Sequence, residues 1–209
     1  MLDENEKKNV CSENLLDFYE YLFRLKKLSR RGWLLRGIEV SNCESVAEHM
    51  YSMTWLALYF IKEFPELDEN KVLKMCLVHD LGESIIGDIT PVDDVSSEKK
   101  YKMEYEAINT IFDYNKKKQN ILLNDSVSDK NNRYYDNKNW IDLWNEFESK
   151  TTPESIFVND IDKLDLLLQA VKYKDELGKS ATEFIQSALI SIKNEKLLNI
   201  SKNIAERYL

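Results

Sequence analysis

Residues that make tight turns are scarce in this chain, with 5 glycines and 3 prolines among 209 residues. Sheet-rich proteins need many tight turns, and these two residues supply most of them. No segment alternates apolar and polar residues as a strand does, and no internal repeat occurs. The sequence therefore predicts an all-α protein, with its helices packed in an irregular bundle.

Positive charge is also in short supply, since 29 Lys and Arg face 37 Asp and Glu, for a formal net charge of −8. Nucleic-acid-binding surfaces are basic, so no nucleic-acid partner is expected. The longest apolar stretch, near Met50 to Ile61, is shorter than the roughly 20 residues of a bilayer span. The first ten residues are charged and contain no apolar signal region. We expect no membrane association.

Cysteine is rare too: the 3 cysteines are far apart, and none has C-x-x-C spacing. Widely spaced thiols of this kind are typical of a reducing compartment. We expect a cytoplasmic protein, with the nucleus left open.

Helical periodicity and end signals predict helices over residues 13–28, 45–64, 69–81, 96–114, 140–148, 152–177 and 180–207. Ser45 and Glu48 have the spacing of a capping box. Thr152, Pro153 and Glu154 supply an N-cap, a proline at the first helical position and an acidic first turn. Gly178 is expected to interrupt the chain before the last helix.

The chain is long enough for one domain, which we expect over residues 13–209. Residues 1–12 are predicted to be a disordered tail. Residues 115–139 are dominated by Asn, Lys, Asp and Ser, a composition that predicts a flexible insertion.

Only 2 histidines occur, and both lie near predicted helix ends. His49 falls in the first turn of its helix, and His79 precedes Asp80 at the end of another. Neutral imidazole is the commonest metal-binding side chain, and carboxylates complete many sites. A histidine at a helix end is more often a packed or capping residue, so this pair alone is weak evidence.

Aspartates inside a late apolar helix add to that evidence. The stretch FVNDIDKLDLLLQA, residues 157–170, contains acids among large apolar residues. Aspartate lowers helix stability and is rarely buried without a partner. Periodicity does not choose between Asp160 and Asp162.

Three blocks in order, ESVAEHMYSM, LVHDLGESIIGDITPVD and FVNDIDKLDLLLQA, resemble the HD-domain metal-dependent phosphohydrolases. The resemblance is closest to the small 5′-deoxynucleotidases that include bacterial YfbR and eukaryotic HD domain-containing protein 2. It extends to the upstream RRGWLLRGI and covers residues 13–112 and 140–178.

The resemblance implies that the metal ligands are His49, His79, Asp80 and Asp162. Asp162 is preferred because it holds the motif position before Lys163. Asp160 is expected to be a solvated acid or to lie behind the ligands.

Glu83 and Asp88 match acids that the family uses beside the metal. A carboxylate there can orient the attacking water or accept its proton, and another can help to protonate the leaving 5′-oxygen. We assign Glu83 to the first role, and Asp88 to the second or to the sugar 3′-hydroxyl. The alternatives are a solvated helix-end acid for Glu83 and a turn or N-cap residue for Asp88.

A phosphate dianion needs cationic contacts, and guanidinium groups bind phosphate with two parallel hydrogen bonds. Arg31 is the first candidate and Arg30 the second, since the adjoining glycine makes the alignment ambiguous. Trp33 either packs on the base or covers the core, with the core slightly favoured.

The resemblance implies a homodimeric enzyme that converts deoxynucleoside 5′-monophosphates to deoxynucleosides and phosphate, by attack of a metal-bound water. The expected cofactor is a divalent cation, Co²⁺ or Mn²⁺ before Mg²⁺ or Zn²⁺. No glycine-rich phosphate loop occurs, so a nucleotide would be a substrate rather than a cofactor. The alternatives are an HD-type hydrolase of triphosphates, cyclic nucleotides or guanosine tetraphosphate, a non-catalytic metal-binding helical module, and a plain helical bundle without metal.

Overall fold

The structure, a computed structural model, describes residues 4–123 and 137–208. No strand forms within these ranges, which confirms the predicted all-α class. The helices are α1 (Glu4–Lys27), α2 (Arg31–Leu34), α3 (Val46–Phe60), α4 (Glu69–Val78), α5 (Glu83–Ile86), α6 (Ser97–Leu123), α7 (Asn137–Ser149), α8 (Pro153–Lys172), α9 (Lys174–Leu177), α10 (Lys179–Ser191) and α11 (Glu195–Tyr208).

Both predicted N-terminal signals are present. The Ser45 side chain accepts the backbone N–H of Glu48, and the Glu48 side chain accepts the backbone N–H of Ser45. At α8, Thr152 is the N-cap and Ser155 completes the reciprocal pair. Two of the helices that contribute to the candidate site therefore begin where local side-chain chemistry places them.

The last predicted helix, over 180–207, is wrong, because the chain forms two helices there. Ile192 has an extended conformation at the end of α10, with ψ 124°. The Asp160 carboxylate accepts the backbone N–H groups of Lys193 (2.9 Å) and Asn194 (2.7 Å). Asn194 then accepts the N–H groups of Lys196 and Leu197 at the start of α11. The break is made by a contact from α8, distant in sequence, rather than by a local helix breaker.

Helix α8 is the centre of the bundle and packs against α3, α4, α7, α10 and α11. Its first half shares a core with α3, α4, α6 and α7, which includes Met53, Met75, Ile108, Trp144 and Ile161. Its second half shares another core with α2, α9 and α10. Side chains from one helix therefore reach both halves of the molecule.

The predicted tail and insertion lie partly outside the described residues, which exclude 1–3 and 124–136. Residues 4–12 belong to α1 and residues 115–123 to α6. The disorder and flexibility expected there, and the single domain, stay predictions. In the described ranges, no helix has the length and apolarity that a bilayer crossing needs.

Candidate active site

The two histidines meet between α3 and α4. His49 lies in the first turn of α3, directly after the capping box, and His79 is the C-cap of α4. Their ring centroids are 5.4 Å apart. His49 is fully buried and His79 is 4% exposed.

One nitrogen of each imidazole is held by the protein. His49 Nδ1 lies 2.7 Å from Asp165 Oδ2, and His79 Nδ1 lies 3.0 Å from the Cys76 carbonyl oxygen. A carbonyl only accepts, so His79 donates its Nδ1 proton and leaves a lone pair on Nε2. Both Nε2 atoms are buried with no hydrogen-bond partner among the described residues. Two buried, unpaired imidazole nitrogens on one cluster fit a metal ion.

Two carboxylates complete the cluster. Asp80 Oδ2 lies 3.0 Å from His79 Nε2 and 3.7 Å from His49 Nε2. Asp162 Oδ1 lies 3.3 Å from His49 Nε2. One ligand atom each of His49, His79 and Asp162 falls within 4.8 Å of the others. A set of imidazole and carboxylate ligands suits divalent transition metals.

The charges of this cluster are strongly coupled. Burial and Arg30 lower the pKa of His49, but the neighbouring carboxylates of Asp162 and Asp165 outweigh them and raise it to about 9. Burial raises the pKa of Asp162, yet Lys163 and His49 hold it well below the ordinary value. Burial also raises the pKa of Asp80, but His79 and His49 outweigh it, so the pKa of Asp80 is lowered overall. The site therefore stabilises carboxylate anions beside a concentrated positive charge.

Asp165 is the residue that sequence reasoning missed. Its Oδ2 lies beside His49 Nδ1, and its Oδ1 accepts a hydrogen bond from the Ser52 hydroxyl. The sequence feature that could have indicated Asp165 is its position as a third acid on the apolar face of α8, one turn after Asp162. An unpaired aspartate there would be costly, so a partner could be expected.

Asp160 lies outside the cluster and caps the break between α10 and α11, as described above. It is 2% exposed, and burial raises its pKa. It is thus a buried structural acid rather than a solvated one.

Glu83 and Asp88 flank the cluster. Glu83 begins α5 and is 6% exposed. Its burial, followed by the charges of Asp80 and Asp88, raises its pKa well above the ordinary value. Asp88 accepts the backbone N–H of Arg31 with Oδ2 at 2.7 Å, so one of its oxygens has a structural partner.

The two candidate arginines differ in their surroundings. Nη1 of Arg30 is buried with no hydrogen-bond partner in the described part of the chain. Burial lowers the pKa of Arg30, but Asp162 and Asp80 lead a group of acids that raise it overall. The Arg31 guanidinium instead pairs with Asp93 at 2.8 Å, with half of its side chain exposed. Arg30 is therefore buried and acted on by the acids of the cluster, whereas the Arg31 guanidinium already has a partner in Asp93.

Trp33 lies in the core, the alternative that the sequence slightly favoured. It is 1% exposed and packs against Tyr173 and Phe184, with ring centroids at 5.4 and 4.5 Å. Its indole N–H donates to Glu44 Oε1 at 2.7 Å. A base has no access to this ring in the structure.

A cleft of about 260 Å³ leads to the cluster. Its lining includes His79, Asp80, Lys100, Glu104, Glu148 and Asp162. Lys100 lies 3.6 Å from Glu104, across the first turns of α6. The cleft thus combines the ligand cluster with further charged side chains at its walls.

A buried His/Asp cluster on an all-α bundle defines a class of metal-dependent helical proteins, and comparison with known proteins identifies its family. The family described as HD domain matches residues 22–205. The chain is 37% identical over 169 residues to 5′-deoxynucleotidase HDDC2 of Dictyostelium discoideum, covering 78% of this chain and 79% of the relative. It is 39% identical over 163 residues to 5′-deoxynucleotidase hdd1 of Schizosaccharomyces pombe, covering 78% and 74%. This chain belongs to the HD domain family.

The fold is shared with solved structures. The crystal structure of the PH0347 protein of Pyrococcus horikoshii superimposes with a TM-score of 0.68 and 27% identity. It covers 92% of this chain and 97% of that one. The likeness therefore extends over the bundle and not only over the motifs.

Proposed function

We propose that this protein is a metal-dependent phosphohydrolase that removes the 5′-phosphate from deoxynucleoside 5′-monophosphates. One observation carries the reaction class: two buried imidazole Nε2 atoms without partners converge on Asp80 and Asp162 at the end of a cleft. The substrate class is supported by the relatives, which are named 5′-deoxynucleotidases.

His49, His79, Asp80 and Asp162 would hold the metal. A divalent ion held by them supplies Lewis-acid polarisation of a phosphoryl oxygen and acidification of water. Two imidazoles and two carboxylates suit Co²⁺ and Mn²⁺, while Mg²⁺ and Zn²⁺ remain alternatives that availability would decide. Asp165 keeps the proton of His49 on Nδ1 and points Nε2 at the cluster.

Arg30 binds the substrate phosphate in this proposal. This role is supported by its buried Nη1, which has no hydrogen-bond partner among the described residues, and by the electrostatic influence of Asp162 and Asp80 on its guanidinium. Arg31, committed to Asp93 and Asp88, acts mainly by fixing the backbone of α2.

Glu83 and Asp88 divide the proton transfers. Glu83 orients the attacking water and accepts its proton, and Asp88 uses its other oxygen, Oδ1, for the leaving 5′-oxygen or the sugar 3′-hydroxyl. The in-line geometry of phosphoryl transfer requires groups on opposite sides of the phosphorus, which two separate acids can provide.

The proposed assembly is a homodimer in a reducing compartment, the cytoplasm being the expected one. Tyr51, Trp55 and Tyr59 lie four residues apart along α3 and are 67%, 58% and 75% exposed. An aromatic stripe of this size is typical of an interface. Cys43 and Cys76 are both free thiols.

Phosphate release from deoxy- and ribonucleoside 5′-monophosphates tests the function. The protein is stripped with a chelator and reloaded with Co²⁺, Mn²⁺ or Mg²⁺, with Asp80→Ala as the control. Release from the deoxy set that is lost in the variant supports the proposal. If the metal-loaded protein releases nothing from any monophosphate but hydrolyses a triphosphate, a cyclic nucleotide or guanosine tetraphosphate, that nucleotide becomes the substrate class. If it hydrolyses none of them, a non-catalytic binding module is favoured.

A further inference from the structure

A second depression, which we call the lysine groove, opens beside the cleft. Its volume is about 360 Å³, and Lys150, Lys163 and Lys193 line its polar side, with Ile156 and Ile190 on its apolar side. Lys150, Asn159 and Lys163 line the cleft as well. The lysine groove and the cleft are therefore neighbours that share a wall.

The lysine groove is cationic in a chain with a formal net charge of −8. Its lining contains one acid, Asp160, whose two oxygens both accept backbone N–H groups. Lys163 pairs with Asp162 at 2.8 Å. Lys150 and Lys193 form no ion pair within 4 Å of a described residue, although their charges oppose the rise that burial gives to the pKa values of Glu148 and Asp160. Neither ammonium group is therefore held in contact with a described carboxylate, and both can turn to a ligand.

The backbone of Lys150 adds an independent observation. Its φ is +51°, and it is the one non-glycine residue with positive φ in the described ranges. It follows the end of α7, and its N–H lies 3.3 Å from the carbonyl oxygens of Glu146 and Phe147. Glycine is the usual residue there, because a Cβ lies too close to the following carbonyl oxygen in this conformation. A lysine at this position is therefore not what the helix end favours, and such outliers cluster at ligand sites.

We propose that the lysine groove binds a second phosphate group, on a nucleotide whose 5′-phosphate occupies the cleft. The inference rests on the proposed function. A deoxyribose has one other hydroxyl that can carry a phosphate, the 3′-hydroxyl, so the ligand class is the deoxynucleoside 3′,5′-bisphosphates. Lys150 and Lys193 contact the 3′-phosphate, so on this ligand Asp88 serves the leaving 5′-oxygen rather than a 3′-hydroxyl. Ile156 and Ile190, the latter 86% exposed, contact the apolar part of the nucleoside.

Calorimetry on the metal-loaded protein tests the proposal. The probes are the 5′-methylenephosphonate analogue of deoxyadenosine monophosphate and the same compound with a 3′-phosphate, since the carbon link prevents hydrolysis. We expect the 3′-phosphate to tighten binding by about tenfold or more, as charged hydrogen bonds do. Equal affinities for the two probes would overturn the inference.

Variants separate binding from folding. Lys193→Ala and Lys150→Gly should each remove most of the affinity ratio between the probes, while Lys202→Ala, an exposed lysine on α11, should retain it. Glycine suits the positive φ of position 150, so Lys150→Gly should keep or raise the melting temperature. A ratio that survives both groove variants would also refute the proposal.

Phosphate release from deoxyadenosine 5′-monophosphate by the same preparation tests the hydrolase separately. Phosphate release together with equal affinities for the two probes would overturn the lysine-groove proposal and leave the hydrolase proposal intact. An affinity ratio that is lost in the groove variants, without any phosphate release, would support the lysine groove and overturn the hydrolase proposal alone.

Discussion

At the scale of single residues, burial and partner decide what each acid on α8 does. Asp160, Asp162 and Asp165 lie within six residues, and apolar periodicity treats them alike. One accepts backbone N–H groups, one faces the imidazoles, and one lies behind His49. Sequence reasoning reached Asp162 through the motif position before Lys163, but the partners of the other two come from α3 and from the α10–α11 loop, which only the fold brings close.

Asp165→Asn should weaken metal binding about 10–100-fold, the usual effect of losing the group behind a histidine ligand. The amide can no longer hold the Nδ1 proton of His49 as a carboxylate does, so Nε2 loses basicity and orientation. Calorimetric titration with Co²⁺, together with the Co²⁺ absorption spectrum, measures the change.

Asp160→Asn is the matched control for that variant, since it alters a buried acid on the same helix. It should lower the melting temperature while leaving the Co²⁺ affinity within about twofold, because its carboxylate accepts the N–H groups of Lys193 and Asn194 and has no contact with the imidazoles. Equal loss of affinity in both variants would show that the effect at Asp165 is general destabilisation.

Arg30→Met should lower kcat/KM for a deoxynucleoside monophosphate by about 10–100-fold, the value of a charged hydrogen bond. Arg31→Met removes a half-exposed ion pair and should cost about threefold or less. Arg30→Lys keeps the charge but not the planar fork, and should fall between the wild type and Arg30→Met. A larger loss at Arg31 than at Arg30 in steady-state kinetics would restore the order predicted from the sequence.

At the scale of helices, the sequence predicted helix ends correctly where the capping residues and their partners lie close together in the chain. The caps of α3 and α8 are formed by residues three apart, so they could be predicted without the fold. The break at residues 192–194 could not, because no glycine or proline marks it and its hydrogen-bond acceptor is Asp160.

Helix α6 places Glu104 in the cleft, where a pH effect on stability is expected. Burial raises its pKa to about 7, against the opposing charge of Lys100. Because the pKa of Glu104 in the folded state lies above the unfolded value of about 4.5, its contribution to the free energy of unfolding is fully present below about pH 4.5. That contribution is lost as pH rises through about 7.

Glu104→Gln should therefore melt above the wild type at pH 8, by about 2–4 °C, and match it near pH 5. The scans are run with chelator, so that a metal does not change the charge of the cleft. Glu98→Gln, an exposed acid on the same helix, should follow the wild type at both values. A constant difference between Glu104→Gln and the wild type across the range would contradict the titration.

At the scale of the whole molecule, the exposed aromatic stripe of α3 predicts a second copy of the chain. Light scattering after size exclusion should give twice the 24.7 kDa chain mass. Trp55→Lys should shift the mass to that of one chain, because a charge in an apolar interface is costly. Tyr208→Lys, at another exposed aromatic residue, should remain dimeric. A monomeric wild type would remove the dimer proposal.

The segment that contains Arg30 pairs with the segment just before His49 and so closes a loop of the chain. The backbone N–H of Arg30 donates to Glu44 O at 2.9 Å, and that of Val46 donates to Leu28 O at 2.8 Å, an isolated antiparallel bridge. The Tyr173 hydroxyl holds the second of these segments by donating to Asn42 O and accepting the Glu44 N–H. Residues 39–42 at the tip are exposed. A protease cut there would leave the two segments of the bridge bonded to each other, so the nicked protein should remain one folded particle, with Arg30 and His49 still held on the two sides of the bridge.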